Sequence, residues 1–265
     1  MVGRGYRGEM LALTWLGHST VVIEIGDARL VTDPLLHRHA PPLRRRGSKP
    51  DRAAWADADA VLLSHLHHDH AELRSLRLLE PAPIVTARAN AEWLRAKGLS
   101  MAVGLEEEWY ALGDDGVSVR LVPAVHAARP MPHRPNAANG HLIRSADGTV
   151  VWAAGDTELF KSMSELRRWA GHKVTVALIP IAGWGPRLSE GHLDPDEAAS
   201  ACALADPDWV LPVHWGTLHL PGGRSIPRGW MDRALPAFED ALTQVAPRCR
   251  MITLRPGQRW ELPSA

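Results

Sequence analysis

Apolar positions in the first hundred residues come in short runs separated by turn formers. Residues 11–16 and 20–25 are apolar and rich in β-branched side chains, split by Gly17-His18-Ser19, and both predict strands. Asp27 marks the turn before a third strand at 29–32. From 34 to 56 the periodicity lapses, Pro34, Pro41, Pro42, Gly47 and Pro50 punctuate the chain, and a long basic loop is predicted. A buried strand at 60–64 follows, then a helix at 72–80, a strand at 83–86, and a helix at 89–97 closed by Gly98. The second half repeats the alternation. Strands are predicted at 107–112, 117–122, 140–144 and 149–153, the last two joined by an Asp147-Gly148 hairpin turn. A helix at 158–169 precedes a strand at 174–179. Asp194, Pro195 and Glu197 then have the spacing of an N-cap, N1 and N3, opening a helix that runs to Ala205. A strand at 209–213, a helix at 231–245 and a strand at 251–254 complete a pattern that predicts one layered α/β domain over residues 1–265.

Composition narrows the class of function. The 265 residues carry 30 Lys+Arg against 30 Asp+Glu, and this neutral balance argues against a dedicated nucleic-acid binder. Two cysteines, Cys202 and Cys249, form no disulfide framework and fit a reducing cytoplasm. The first ten residues lack the apolar stretch of a secretory signal, and no apolar run approaches the roughly 18 residues of a membrane span. Histidine is the outlier. There are 14, against two Tyr and two Phe, and histidine is the commonest metal ligand.

Those histidines cluster. In Ser64-His65-Leu66-His67-His68-Asp69-His70, the residues His65, His67 and Asp69 recur with period two, so an extended segment points all three one way. His70 reaches the same space from the first turn of the following helix. Burying this many imidazole and carboxylate groups without partners is costly, and a shared divalent cation satisfies them together. His126, Asp156 and His214 each follow an apolar strand run, and open α/β sheets collect their sites at such strand ends. Together the seven residues make two pockets of three to four ligands sharing a carboxylate. Imidazole plus carboxylate suits zinc first, and manganese or iron as well.

The motif His65-x-His67-x-Asp69-His70, followed by His126, Asp156 within Gly-Asp-Thr, and His214, resembles the metallo-β-lactamase superfamily. Four further segments are similar to its branch of L-ascorbate-6-phosphate lactonase and N-acyl-phosphatidylethanolamine phospholipase D. They are Trp15-Leu16-Gly17-His18-Ser19, Thr32-Asp33-Pro34, His192-x-x-Pro195-x-Glu197-Ala198 and His214-Trp215-Gly216-Thr217. The resemblance implies a single-domain αββα four-layer sandwich holding two divalent metal ions at one sheet edge. It also implies that His65, His67 and His126 hold one metal, that Asp69, His70 and His214 hold the other, and that Asp156 bridges them. A hydroxide shared by the two metals would be the nucleophile, on a phosphodiester or a phosphorylated lactone or ester.

Around this set, Asp69 and His192 are the catalytic candidates. His192 would polarise an anionic group or protonate a leaving oxygen, unless it is a loop histidine satisfying backbone groups. Arg129, three residues after His126, resembles a family position that meets phosphate, with a solvated loop arginine as the plainer reading. His18 and Asp33 are expected to orient ligands, and His68, out of phase, to point away. Within segment 37–52, Arg38, Arg44, Arg45, Arg46, Lys49 and Arg52 face only Asp51, a solvated run unless it overhangs the site and attracts an anionic small molecule. Trp184, Trp215 and Trp230 fall in or near loops, whereas Trp15 and Trp209 sit in strands and are expected in the core. Other readings of the same residues are an RNA-processing nuclease, a thiolesterase, a mononuclear-iron dioxygenase, or a metal-binding module without catalysis.

Overall fold

A computed structural model describes residues 11–113, 116–126, 134–135 and 137–264. Strands β1 (Ala12–Gly17), β2 (Thr20–Ile25) and β3 (Ala28–Thr32) form an antiparallel meander. The short β4 (His39–Ala40) and β5 (Leu43–Arg45) and helix α1 (Arg52–Trp55) follow. Then β6 (Ala60–Leu62), helix α2 (Leu73–Arg77), β7 (Ile84–Ala87), helix α3 (Arg88–Ala96) and β8 (Ala102–Leu105) extend the first sheet in parallel from β3. A second antiparallel meander comprises β9 (Trp109–Leu112), β10 (Val117–Pro123), β11 (Asn139–Arg144) and β12 (Val150–Ala153). After a 3-10 turn at Lys161–Glu165 come α4 (Leu166–Ala170), β13 (Val176–Pro180), α5 (Pro195–Ala205), β14 (Trp209–Val213) and β15 (Leu218–His219). The chain ends with α6 (Ala234–Val245), β16 (Arg250–Met251) and β17 (Arg259–Glu261).

The strand orders are β17-β1-β2-β3-β6-β7-β8 in the first sheet and β16-β14-β13-β12-β11-β10-β9 in the second. Their inner faces share one core, in which Leu13, Trp15, Val21 and Ile23 of the first sheet meet Val119, Ile143, Val151 and Leu178 of the second. The alternate residues face outwards. Val22, Val31 and Val61 pack under Trp55, Leu76, Ala91 and Leu94 of α1–α3, while Leu142, Trp152 and Ala177 pack under Leu166, Ala198, Cys202 and Phe238 of α4–α6. With both faces covered, the strands need apolar residues at nearly every position, which is why they read as continuous apolar runs. The result is the expected single-domain αββα sandwich.

Several elements differ from expectation. The basic segment is not a bare loop, because β5 pairs with β4 and β15 in a small third sheet. Arg45 anchors it, buried, with its guanidinium donating to the Leu16 carbonyl at 2.9 Å and to the Leu35 carbonyl. Arg46 pairs with Asp232, so two of the six cations in this run hold structure together. The helix expected at 72–80 shortens to Leu73–Arg77, and His70 lies in the turn before it rather than in its first turn. The helix expected at 158–169 begins as a 3-10 turn and ends at Ala170, where Gly171 takes φ 77°. The last helix starts at Ala234 after a separate 3-10 turn at Trp230–Asp232, and the strand expected at 251–254 shrinks to Arg250–Met251. Strands β8 and β17 have no predicted counterpart. In β8, a Cβ on Gly104 would stand 2.7 Å from the Arg88 Cα, so the glycine lets α3 settle against the strand. Trp209 is only half-buried, beside Trp260 and beneath the Arg250 guanidinium. Cys202 is buried and Cys249 half-buried, both as free thiols. Among the described residues no helix is long and apolar enough to cross a membrane.

Candidate metal centre

The centre forms where parallel strands of both sheets end. After β3 the chain turns at Asp33, and after β14 at His214; with His18 beyond β1, these three adopt positive φ angles of 36°, 62° and 55°. Left-handed backbone at non-glycine residues costs about 1–2 kcal/mol each, and such strain gathers at functional sites.

The side chains are held from behind. The Asp33 carboxylate accepts from the Ser64 backbone N–H at 2.8 Å, from Ser64 Oγ at 2.7 Å, and from His70 Nδ1 at 2.8 Å. With its own proton given to Asp33, Ser64 Oγ accepts from His65 Nδ1 at 2.9 Å. His126 Nδ1 donates to the Gly191 carbonyl at 2.6 Å, and His214 Nδ1 donates to the Ala182 carbonyl at 2.7 Å. In His65, His70, His126 and His214 the Nδ1 proton is thus committed to an anchor, and Nε2 is the atom left facing the interior for a cation to take. His67 uses the other nitrogen: its Nδ1 lies 3.0 Å from His126 Nε2.

Asp156 lies among these rings. Its Oδ2 is 3.1 Å from His70 Nε2, 3.2 Å from His214 Nε2 and 3.8 Å from His65 Nε2. Asp69 Oδ2 accepts from His18 Nε2 at 2.8 Å and stands 3.7–3.8 Å from the His214 and His70 Nε2 atoms. One ligand atom from each member comes within 4.8 Å of the others in two four-residue groups: His65, His67, His126 and Asp156, and His18, Asp69, His70 and His214. A third group joins Asp156 and His214 to His192, whose Nε2 is 3.2 Å from Asp156 Oδ2.

These residues fit divalent cations. Buried Nε2 atoms of His65, His70 and His214 and both carboxylate oxygens of Asp156 make no well-directed hydrogen bond, although they converge on one space at ion-pair distances. Each such orphan costs about 1–3 kcal/mol when nothing satisfies it. The charge balance says the same. Burial pushes His65 well below its ordinary pKa, His67 to about 4 and His18 to about 3. For His214 burial pulls down but the Asp156 carboxylate outweighs it, raising the ring to about 9, and His70 is driven well above its usual value by Asp156, Asp33 and Asp69. Asp69 and Asp156 are held well below the carboxylate range by the surrounding histidines despite their burial. Two carboxylates therefore draw positive charge into the centre, and bound cations would displace the protons of His70 and His214.

The structure brings together all seven residues singled out as ligands and adds His18 and His192 to them. His18 is held through its backbone, with its N–H donating to Thr217 Oγ1 at 2.9 Å and its carbonyl accepting from Trp15 Nε1 at 2.9 Å. His68 is half-buried and joins none of the three groups. Arg129 lies outside the described residues. Sequence reasoning passed over Gly191 and Glu158. A Cβ on Gly191 would stand 2.7 Å from His126 Nδ1, and its N–H donates to Glu158 Oε1 at 2.8 Å. The only local signal was a glycine next to His192.

A family described as a beta-lactamase superfamily domain matches residues 28–215, ending one residue after His214. The UPF0173 metal-dependent hydrolase of Pyrobaculum calidifontis is 30% identical over 214 residues, covering 79% of this chain and 86% of that protein. Its counterpart in Caldivirga maquilingensis is 27% identical over 253 residues, covering 95% and 98%. Among solved structures, the metallo hydrolase Igni18 of Ignicoccus hospitalis superposes with a TM-score of 0.73 at 24% identity, over 97% of this chain and 100% of that one, and shares the fold. The chain belongs to the beta-lactamase superfamily and, within it, to the UPF0173 metal-dependent hydrolase family.

Proposed function

We propose that this protein is a dinuclear metal-dependent hydrolase acting on a small anionic molecule, a phosphodiester or a phosphorylated lactone or ester. The observation that carries this reading is the convergence of the buried His65, His70 and His214 Nε2 atoms, none in a well-directed hydrogen bond, on the Asp156 carboxylate. His65, His67 and His126 would hold one cation, Asp69, His70 and His214 the other, with Asp156 between them. When bound, two divalent cations, zinc first and manganese or iron as alternatives, supply a water acidified towards neutral pH and neutralise charge on both oxygens of a displacement.

The protein's own groups do the rest. Asp69 is fixed by the His18 hydrogen bond, so its carboxylate keeps one orientation through turnover. His192 Nε2 lies 3.2 Å from Asp156 Oδ2, while its Nδ1 sits 3.1 Å from the Ser189 carbonyl. Anchored on one side and facing the centre on the other, it would give a proton to a departing oxygen, a reading these two distances support. Arg129 follows His126 by three residues and would meet an anionic group with its planar fork. The four segments around Trp15, Thr32, His192 and His214 favour the lactonase and phospholipase D branch as the guide to substrate. The two free thiols suit work in a reducing cytoplasm.

The test is a panel of a bis-aryl phosphodiester, a phosphorylated lactone, a thioester and an RNA on metal-quantified protein. Turnover of one of the first two, abolished in His67→Ala and Asp69→Ala variants that keep the wild-type circular dichroism, is the expected result. Unchanged turnover in either variant, or turnover confined to the thioester or RNA, overturns the proposal.

A further inference from the structure

Arg45 and Arg46 of the basic segment line a cavity of about 600 Å³ that none of the seven candidate ligands lines. That volume is within the roughly 300–1,000 Å³ of small-molecule sites. Arg224 and Arg255 join them, so four arginines line one space with a single acidic residue, Asp232. Asp232 is already engaged through both oxygens by Arg46, one of them at 3.0 Å. Arg45 is fixed by its bonds to the Leu16 and Leu35 carbonyls, and its buried Nε has no partner. Both Arg224 and Arg255 are exposed, and Arg224 stands near enough to Asp232 to help Arg46 hold that carboxyl below its usual range. The opposite character is supplied by Trp215, half-buried and stacked on Trp15 with ring centroids 5.5 Å apart, and by Leu254.

An excess of arginine over acid beside a tryptophan selects for a ligand that is flat on one side and negative on the other. Guanidinium forks match sulfonate, carboxylate and phosphate oxygens, and indole faces take aromatic rings. We propose that this cavity is a binding site for a planar aromatic anion, with its charged group held by Arg224 and Arg255 and its ring against Trp215. The site is separate from the metal centre and does not depend on the reading of that centre as a hydrolase.

The probe is naphthalene-2-sulfonate, titrated by calorimetry into the full chain after chelator treatment, so that no bound metal contributes. One site per chain is expected. Arg224→Gln and Arg255→Gln should each weaken binding by roughly tenfold or more, as loss of a charge-assisted hydrogen bond does. The neutral naphthalene-2-sulfonamide should bind more weakly by a similar factor. Circular dichroism should match the wild type in both variants, because the two side chains are exposed. Absence of binding at millimolar probe, equal binding of the sulfonamide, or undiminished binding in both variants overturns the proposal. A metal-loaded Arg224→Gln or Arg255→Gln protein that lost hydrolysis would overturn the separation of the two sites.

Discussion

Replacing Asp33 by Asn changes no atom that faces a substrate, yet it should cripple the metal centre. The side chain is buried and holds three donors at 2.7–2.8 Å: the Ser64 N–H, the Ser64 hydroxyl and His70 Nδ1. Asn tolerates the residue's φ of 36°, so the backbone adds little to the cost. The Asn carbonyl can keep the Ser64 N–H, but its NH₂ then confronts the other two donors. Losing two charge-assisted hydrogen bonds in a buried setting predicts about 2–5 kcal/mol of destabilisation. The His70 ring can answer only by accepting at Nδ1, which moves its proton to Nε2, the atom 3.1 Å from Asp156. That removes the lone pair offered to a metal. Loss of such a supporting contact lowers metal affinity about 10–100-fold, or about 1.4–2.8 kcal/mol. Urea unfolding of the chelator-treated protein reads the first quantity, and zinc titration against a chromophoric chelator reads the second. Affinity within twofold of wild type, with stability within about 0.5 kcal/mol, would refute the argument that Asp33 sets the His70 tautomer.

Gly191→Ala places a Cβ 2.7 Å from His126 Nδ1 at a φ of 84°, so His126 must move, and the hydrolytic kcat/KM on a substrate turned over in the panel should fall at least about tenfold with secondary structure intact. Chelation followed by zinc re-addition should restore close to two equivalents per chain by native mass spectrometry; saturation at one would support a mononuclear centre. The buried ring of His141 is pushed by burial down to about 4, so it is neutral in the fold at pH values where the unfolded chain begins to protonate it. Stability is therefore complete above about pH 6.5 and falls as the pH drops towards 4, by about 3 kcal/mol from this group. Urea midpoints across that window should flatten in His141→Gln relative to wild type, and an unchanged slope would count against the assignment.

Much of the frame was legible because it depends on near neighbours. The paired apolar runs before and after Gly17-His18-Ser19 are β1 and β2, and Asp194 accepts from the Glu197 N–H at 2.9 Å while Glu197 accepts back at 3.2 Å, the capping box expected of that spacing. The ligand types stood out for a similar reason: imidazole and carboxylate after an apolar strand have a chemical identity that no fold is needed to see. What the sequence could not supply was the meeting of distant segments. The edge strands β8 and β17 are only four and three residues long, too short to show a period, and only pairing with Ile84–Ala87 and Ala12–Thr14 makes them strands. Arg45 looks like one more solvated cation until β5 joins β15 and buries it under Leu16 and Leu35. His192 reaches Asp156, and Thr217 reaches the His18 backbone, by loop paths that no local period encodes. Local chemistry chose the donors and the strand ends; the packing of two sheets across one core decided which of them share a space, because burial and loop closure depend on residues far apart in the chain.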